Sequence, residues 1–135
     1  MAIVQSVRYA PVLLEKIVSL AATSGTTVGI SVPAGVTVLA AGFQNTTVVP
    51  DVTTYTLDVT DGTTVFANDL NFDNTAANTN KGGVTPGFIA AADTIDVVTT
   101  ISGSPGIITG RVWAVVVDCS KSAQAAAEVD RDQLA

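Results

Sequence analysis

The chain has 135 residues, the size of a single domain, with twelve acidic against six basic residues, a net charge of −6, one cysteine and no histidine. Nucleic-acid binding needs clustered cations to displace counterions, and here Arg8, Lys16, Lys81, Arg111, Lys121 and Arg131 are scattered, which argues against a DNA or RNA partner. An internal disulfide is excluded, and histidine-dependent nucleophilic schemes and the usual zinc ligand sets lose their key residue.

In chain order, the first segment, 1–25, carries Ile3, Val4 and Val7, then Val12, Leu13, Leu14, Ile17, Val18 and Leu20 after Pro11. It reads as an N-terminal arm with a short helix or as two first strands, and periodicity does not choose between them. It has no basic leader followed by a continuous apolar core and cleavage site, so it is not expected to be a signal peptide, and no run is long enough to span a membrane. From Thr26 the pattern is that of strands. "TTVGISVPAG" alternates Val28, Ile30 and Val32 with small or polar residues and turns at Pro33–Gly35. "VTVLAAGFQN" is a mostly apolar strand. "TTYTLDVTDG" puts Tyr55, Leu57 and Val59 on one face, and Asp61–Gly62 marks a hairpin.

The stretch from Asn68 to Gly87 is polar and reads as a long loop of the kind that carries function or mobility. "DTIDVVTTI" places Ile95, Val97, Thr99 and Ile101 on one face, "SGSPG" turns the chain, and "IITGRVWAVVVD" is the last strand, with Gly110 as a possible bulge. Cys119 ends this apolar run and reads as a small buried hydrophobe. The Ala-rich 120–135 segment contains good helix formers, with Ser120 or Ser122 as caps. The expected organisation is an all-β antiparallel sandwich or jelly roll over 26–119, flanked by an N-terminal arm or first strands (1–25) and a short C-terminal tail of helix-forming composition (120–135).

Chemistry-bearing clusters are few. Asp93 and Asp96 form the first carboxylate pair to consider for acid–base work, and Asp58 and Asp61 the second. A separation of three along a strand puts side chains on opposite faces, which does not suit two carboxylates flanking a substrate. Asp69, Asn71 and Asp73 occupy the first, third and fifth positions of a calcium loop. However, Asn74 stands where that loop needs Gly and Asn80 where it needs Glu, leaving a partial cation motif. The Thr-rich strands lack the regular repeat of an ice-binding array and the aromatics of a sugar platform. No metal, cofactor or catalytic centre is expected.

The last strand is apolar on both sides: Val112, Ala114 and Val116 alternate with Arg111, Trp113, Val115 and Val117. Such a strand is covered on both faces, by its own chain or by a neighbour. Only 13% of residues are charged, about half the usual fraction, and 47% are hydrophobic, so copies repel one another little. Ile3, Val4, Val7, Tyr9, Leu13, Leu14, Arg111 and Trp113 are therefore the interface candidates.

The succession "SVPAGVTVLAAGF", "TYTLDVTDGTTVFA", "GFIAAADTIDVVTT" and "GRVWAVVVD" resembles small virion proteins of tailed bacteriophages, of the β-sandwich capsid decoration (cement) type. The resemblance covers about Thr26 to Asp118. "VTDG" replaces the usual "VGDG", and the Asn68–Gly87 stretch is long for the group. The resemblance implies a non-enzymatic protein, often trimeric, assembled in the bacterial cytoplasm. It would bind the major capsid protein on the outside of the head, without contact to nucleic acid or membrane. The alternative is a tail, fibre or host-adhesion module that recognises a surface glycan, with the Asn68–Gly87 stretch and the Thr faces as its contact surface.

Overall fold

The computed structural model describes residues 10–118. The expectations for Ile3, Val4, Val7, Tyr9, Cys119 and the 120–135 helix lie outside the described residues. Among the described residues, nine strands form two antiparallel sheets packed face to face. They are β1 (Val12–Leu20), β2 (Gly25–Val32), β3 (Val36–Asn45), β4 (Thr54–Thr60), β5 (Val65–Asn71), β6 (Asn80–Gly83), β7 (Gly87–Ile89), β8 (Asp93–Ser102) and β9 (Ile108–Asp118). The first sheet runs β1-β9-β3-β6, with β7 also on β3, and the second runs β2-β8-β4-β5.

The pairing is nested. β1 pairs with β9, β2 with β8, β3 with β6 and β7, and β4 with β5. If β6 and β7 count as one interrupted strand, the chain is a long hairpin rolled up so that, apart from the β4–β5 hairpin at its tip, successive strands alternate between sheets, which is the jelly-roll arrangement.

The alternation read from the sequence explains the core. Tyr55, Leu57 and Val59 on β4, Ile95 and Val97 on β8, and Val112 and Ala114 on β9 are at most 1% exposed. They meet Leu20, Val38, Phe43, Phe66 and Phe72 in one continuous cluster. Phe43 and Phe72 contact edge to face, with centroids 5.5 Å apart, the arrangement that ring quadrupoles favour.

Three local expectations change. The stretch Asn68–Gly87 is not one long loop. It contains the end of β5 and all of β6 before the chain enters β7. β6 reads "NKGG" because it is an edge strand with no buried apolar row, so it gives no hydrophobic pattern. Second, Gly110 sits in continuous register opposite Val18 and Asn45 and is not a bulge. A Cβ there would lie 2.2 Å from the Phe43 ring, so glycine is required by packing. The shift facing this strand lies on β3, between Val38 and Ala40. Third, Val28 is exposed and out of step with Ile30 and Val32, because β2 shifts register between Thr27 and Ile30.

A candidate interface on one sheet face

β9 is central in its sheet, between β1 and β3. With Val112, Ala114 and Val116 buried against the second sheet, Arg111, Trp113, Val115 and Val117 point the other way, and all four are half-buried. Register places Leu13 beside Val115, Glu15 beside Trp113 and Ile17 beside Arg111. On the other side Gly42 is opposite Trp113 and Gln44 opposite Arg111. The result is a broad outer face carrying Leu13, Ile17, Trp113, Val115, Val117 and, from β7, Phe88. Leu13, Ile17 and Phe88 each keep more than half their surface in solvent.

Trp113 is fixed on this face by its neighbours. Gly42 on β3 pairs with Gly82 on β6 in the same row. A Cβ on Gly42 or Gly82 would come within 2.5 or 2.6 Å of the indole, so the ring lies flat across both glycines. Its Nε1–H donates to Asn80 Oδ1 at 2.8 Å. The polar end is thus satisfied within the chain, and an apolar ring face is left outward. A shallow depression of about 270 Å³ beside it is lined by Leu13, Glu15, Gln44, Asn80, Arg111, Trp113 and Val115. The face carries one opposed charge pair, Arg111 Nε to Glu15 Oε2 at 3.5 Å, with both side chains well exposed. Such a pair contributes roughly 0–1 kcal/mol to stability and leaves the face electrically neutral.

Of the described interface candidates, Leu13, Arg111 and Trp113 are together on this face. Leu14 is one step out of phase: it turns inward and packs against the core. Ile17, Phe88, Asn80, Gly42 and Gly82 belong to the face but were not readable as such. Only cross-strand register brings them together, and register is a long-range property of the sheet.

The acidic candidates hold backbone. Asp93 Oδ1 accepts from Thr94 N at 2.7 Å, at the start of β8. Asp96 Oδ1 accepts from Gly29 N at 3.3 Å and pins the irregular part of β2. They lie at different places on β8 and do not face each other. Asp61 Oδ1 closes the β4–β5 turn by accepting from Thr63 N and Thr64 N at 2.8 and 2.6 Å. Asp58 Oδ1 accepts from Asp69 N at 2.7 Å.

In the partial cation motif, Asp73 Oδ1 accepts from Val52 N at 2.7 Å and Asn71 Oδ1 from Asp73 N at 3.0 Å. The Lys81 ammonium donates to the Asn71 carbonyl oxygen, placing a positive charge beside the motif. Among the described residues, no three His, Cys, Asp or Glu side chains gather as a metal site. Asp61 and Asp93 do share the rim of a second shallow depression with Thr63, Thr64, Phe88 and Ala90–Ala92, also of about 270 Å³.

No protein-family model matches the chain, and no curated protein matches it. Four chains of solved structures do, two of them from phage capsids. A chain of the cyanophage Pam1 capsid asymmetric unit superposes with a TM-score of 0.58 at 14% identity, over 81% of this chain and 85% of that one. A chain in the acidic stable capsid structure of Helicobacter pylori bacteriophage KHP30 superposes with a TM-score of 0.55 at 12% identity, over 84% and 95%. At these identities the likeness is one of fold, and the fold held in common is the nested two-sheet sandwich.

Proposed function

We propose that this chain is a non-enzymatic structural protein of a tailed-bacteriophage virion, a decoration protein that binds the outer surface of the head and stabilises it. Its partners are the major capsid protein and further copies of itself, as a trimer. The observation that carries the reading is the neutral, apolar outer face of β1, β9 and β3, with Trp113 held flat over Gly42 and Gly82. The fold likeness to chains of two phage capsid structures supports the same setting.

The mechanism is mechanical. Aromatic residues, Trp above all, anchor interfaces because they bury a large area with few rotamers to freeze. Each Å² of apolar surface removed from water contributes about 25 cal/mol. Repetition over a shell turns modest contacts into a large total resistance to internal pressure.

The test is to mix purified protein with undecorated capsids of its phage, then measure occupancy and the temperature at which the capsids open. Decoration at hundreds of copies with a rise in opening temperature is expected. A Val115→Glu variant, which places a charge on the face and leaves the core untouched, is expected to bind poorly. Absence of binding by the wild type overturns the reading, and a copy number of about a dozen or fewer favours a tail or adhesion module.

A further inference from the structure

The two sheets have four edges, and three of them are blunted. β2 is irregular between Thr27 and Ile30, and both backbone groups of Gly29 there are occupied. Its N–H donates to Asp96 and its carbonyl accepts from Lys16 Nζ at 3.2 Å. β5 is broken by two register shifts against β4 and by Asp69 at φ 52°. The β6–β7 edge consists of four and three residues separated by Val84, Thr85 and Pro86. These are the devices that keep sheet edges from pairing with other chains.

β1 has none of these irregularities. It runs nine residues in unbroken register with β9. Its outward edge has no strand partner among the described residues. Both of its charges are taken up within the domain, Glu15 by Arg111 and Lys16 by the Gly29 carbonyl. An edge of this length and regularity, with apolar side chains exposed on it, is a template for another strand.

We infer that the free edge of β1 is paired by residues 1–9 of a second copy of this chain. Periodicity leaves the segment free to be a strand, and an extended conformation would put Ile3, Gln5, Val7 and Tyr9 on one side and Val4, Ser6 and Arg8 on the other. It is long enough to span β1. The link argues against pairing with the segment's own β1. A tight hairpin at Ala10–Pro11 needs φ > 0 at its first central residue, and at both for the commoner type. Proline cannot supply a positive φ, and the Cβ of an alanine makes one costly at Ala10. Donation from copy to copy is either reciprocal, in a dimer, or head to tail, where a rotation that closes gives a ring such as a trimer, and the inference rests on, and gives a structural basis to, the self-association in the proposed function.

The test needs no capsid, so its failure is distinguishable from failure of the decoration reading. Equal amounts of ¹⁴N- and ¹⁵N-labelled full-length protein, carrying a photoreactive amino acid at position 5, are co-assembled, irradiated and digested. Cross-links from position 5 to 12–20 that join the two isotopes are expected. Native mass spectrometry is expected to give an oligomer that Val7→Pro dissociates, since proline removes a ladder donor. In that variant, alternate β1 amides should exchange roughly tenfold or more faster while β3 and β8 are unchanged. A monomeric wild type, same-isotope links only, or an oligomer indifferent to Val7→Pro each overturns the inference.

Discussion

At the level of single residues, the described core leaves two polar atoms without a partner, Asn45 Oδ1 and the Tyr55 hydroxyl. Tyr55 is fully buried on β4. Burial without compensation disfavours the phenolate, and the Tyr55 pKa is pushed up to about 12. In the unfolded chain the group titrates near 10, so the unfolded state releases its proton first as pH rises. The stability linked to the neutral hydroxyl is therefore intact below pH 10 and declines as pH passes from 10 towards 12. Tyr55→Phe removes the buried hydroxyl and this titration together. It is expected to leave stability at pH 7 unchanged or raised by up to about 1 kcal/mol, since an unpartnered hydroxyl costs free energy to bury. It should also flatten the fall above pH 10. Urea midpoints at pH 7, 9, 10 and 11 measure both effects, and a loss of more than about 1 kcal/mol at pH 7 means the hydroxyl is bonded.

At the level of elements, the alternating strands were legible because one face of each is buried: β4, β8 and the inner side of β9 read correctly from period-two hydrophobicity. The elements that escaped have no such row. β6 is polar because it is an edge, and the β2 irregularity is written only in Gly29, whose Cβ would lie 2.2 Å from the Ile95 carbonyl oxygen. Gly29→Ala forces two backbones apart where Asp96 and Lys16 hold them. We expect a loss of about 1–3 kcal/mol in a urea melt, by the usual cost of overpacking.

A second illegible element is the bend over 72–79, which Asn45 holds to β3. Its Nδ2 donates to Thr47 O at 2.8 Å and Ala76 O at 2.9 Å, while its backbone bonds Thr79 and Asn78. Asn74 and Asn78 within the bend have positive φ, for which asparagine is among the tolerant residues. Asn45→Ala is expected to cost about 1–3 kcal/mol by removing the bonds from its fully buried amide that tie the bend to β3. Faster amide exchange confined to 74–79 distinguishes local release from global weakening.

For the whole molecule, the consequential feature is that, among the described residues, β9 lies between two strands and under one layer only. The sequence shows it to be apolar on both sides, but whether its outer side meets its own chain or a neighbour depends on the order β1-β9-β3, fixed by pairings between distant parts of the chain, such as Val12 with Val116. Inner and outer apolar residues should then separate in their effects. Leu57 is 1% exposed, and Leu57→Ala should cost about 2–5 kcal/mol through lost burial and the cavity left behind. Leu13 and Ile17 are 57% and 64% exposed, so Leu13→Ala and Ile17→Ala remove little buried area. Measured by urea on protein dilute enough to be monomeric, each should cost less than about 1 kcal/mol, as surface changes do. The order reverses in the assembly: the outer-face variants should weaken capsid decoration, while Leu57→Ala, assayed well below its melting temperature, should still decorate. If Leu13→Ala or Ile17→Ala destabilises the dilute monomer as much as Leu57→Ala, the face is covered from within its own chain and is not an interface.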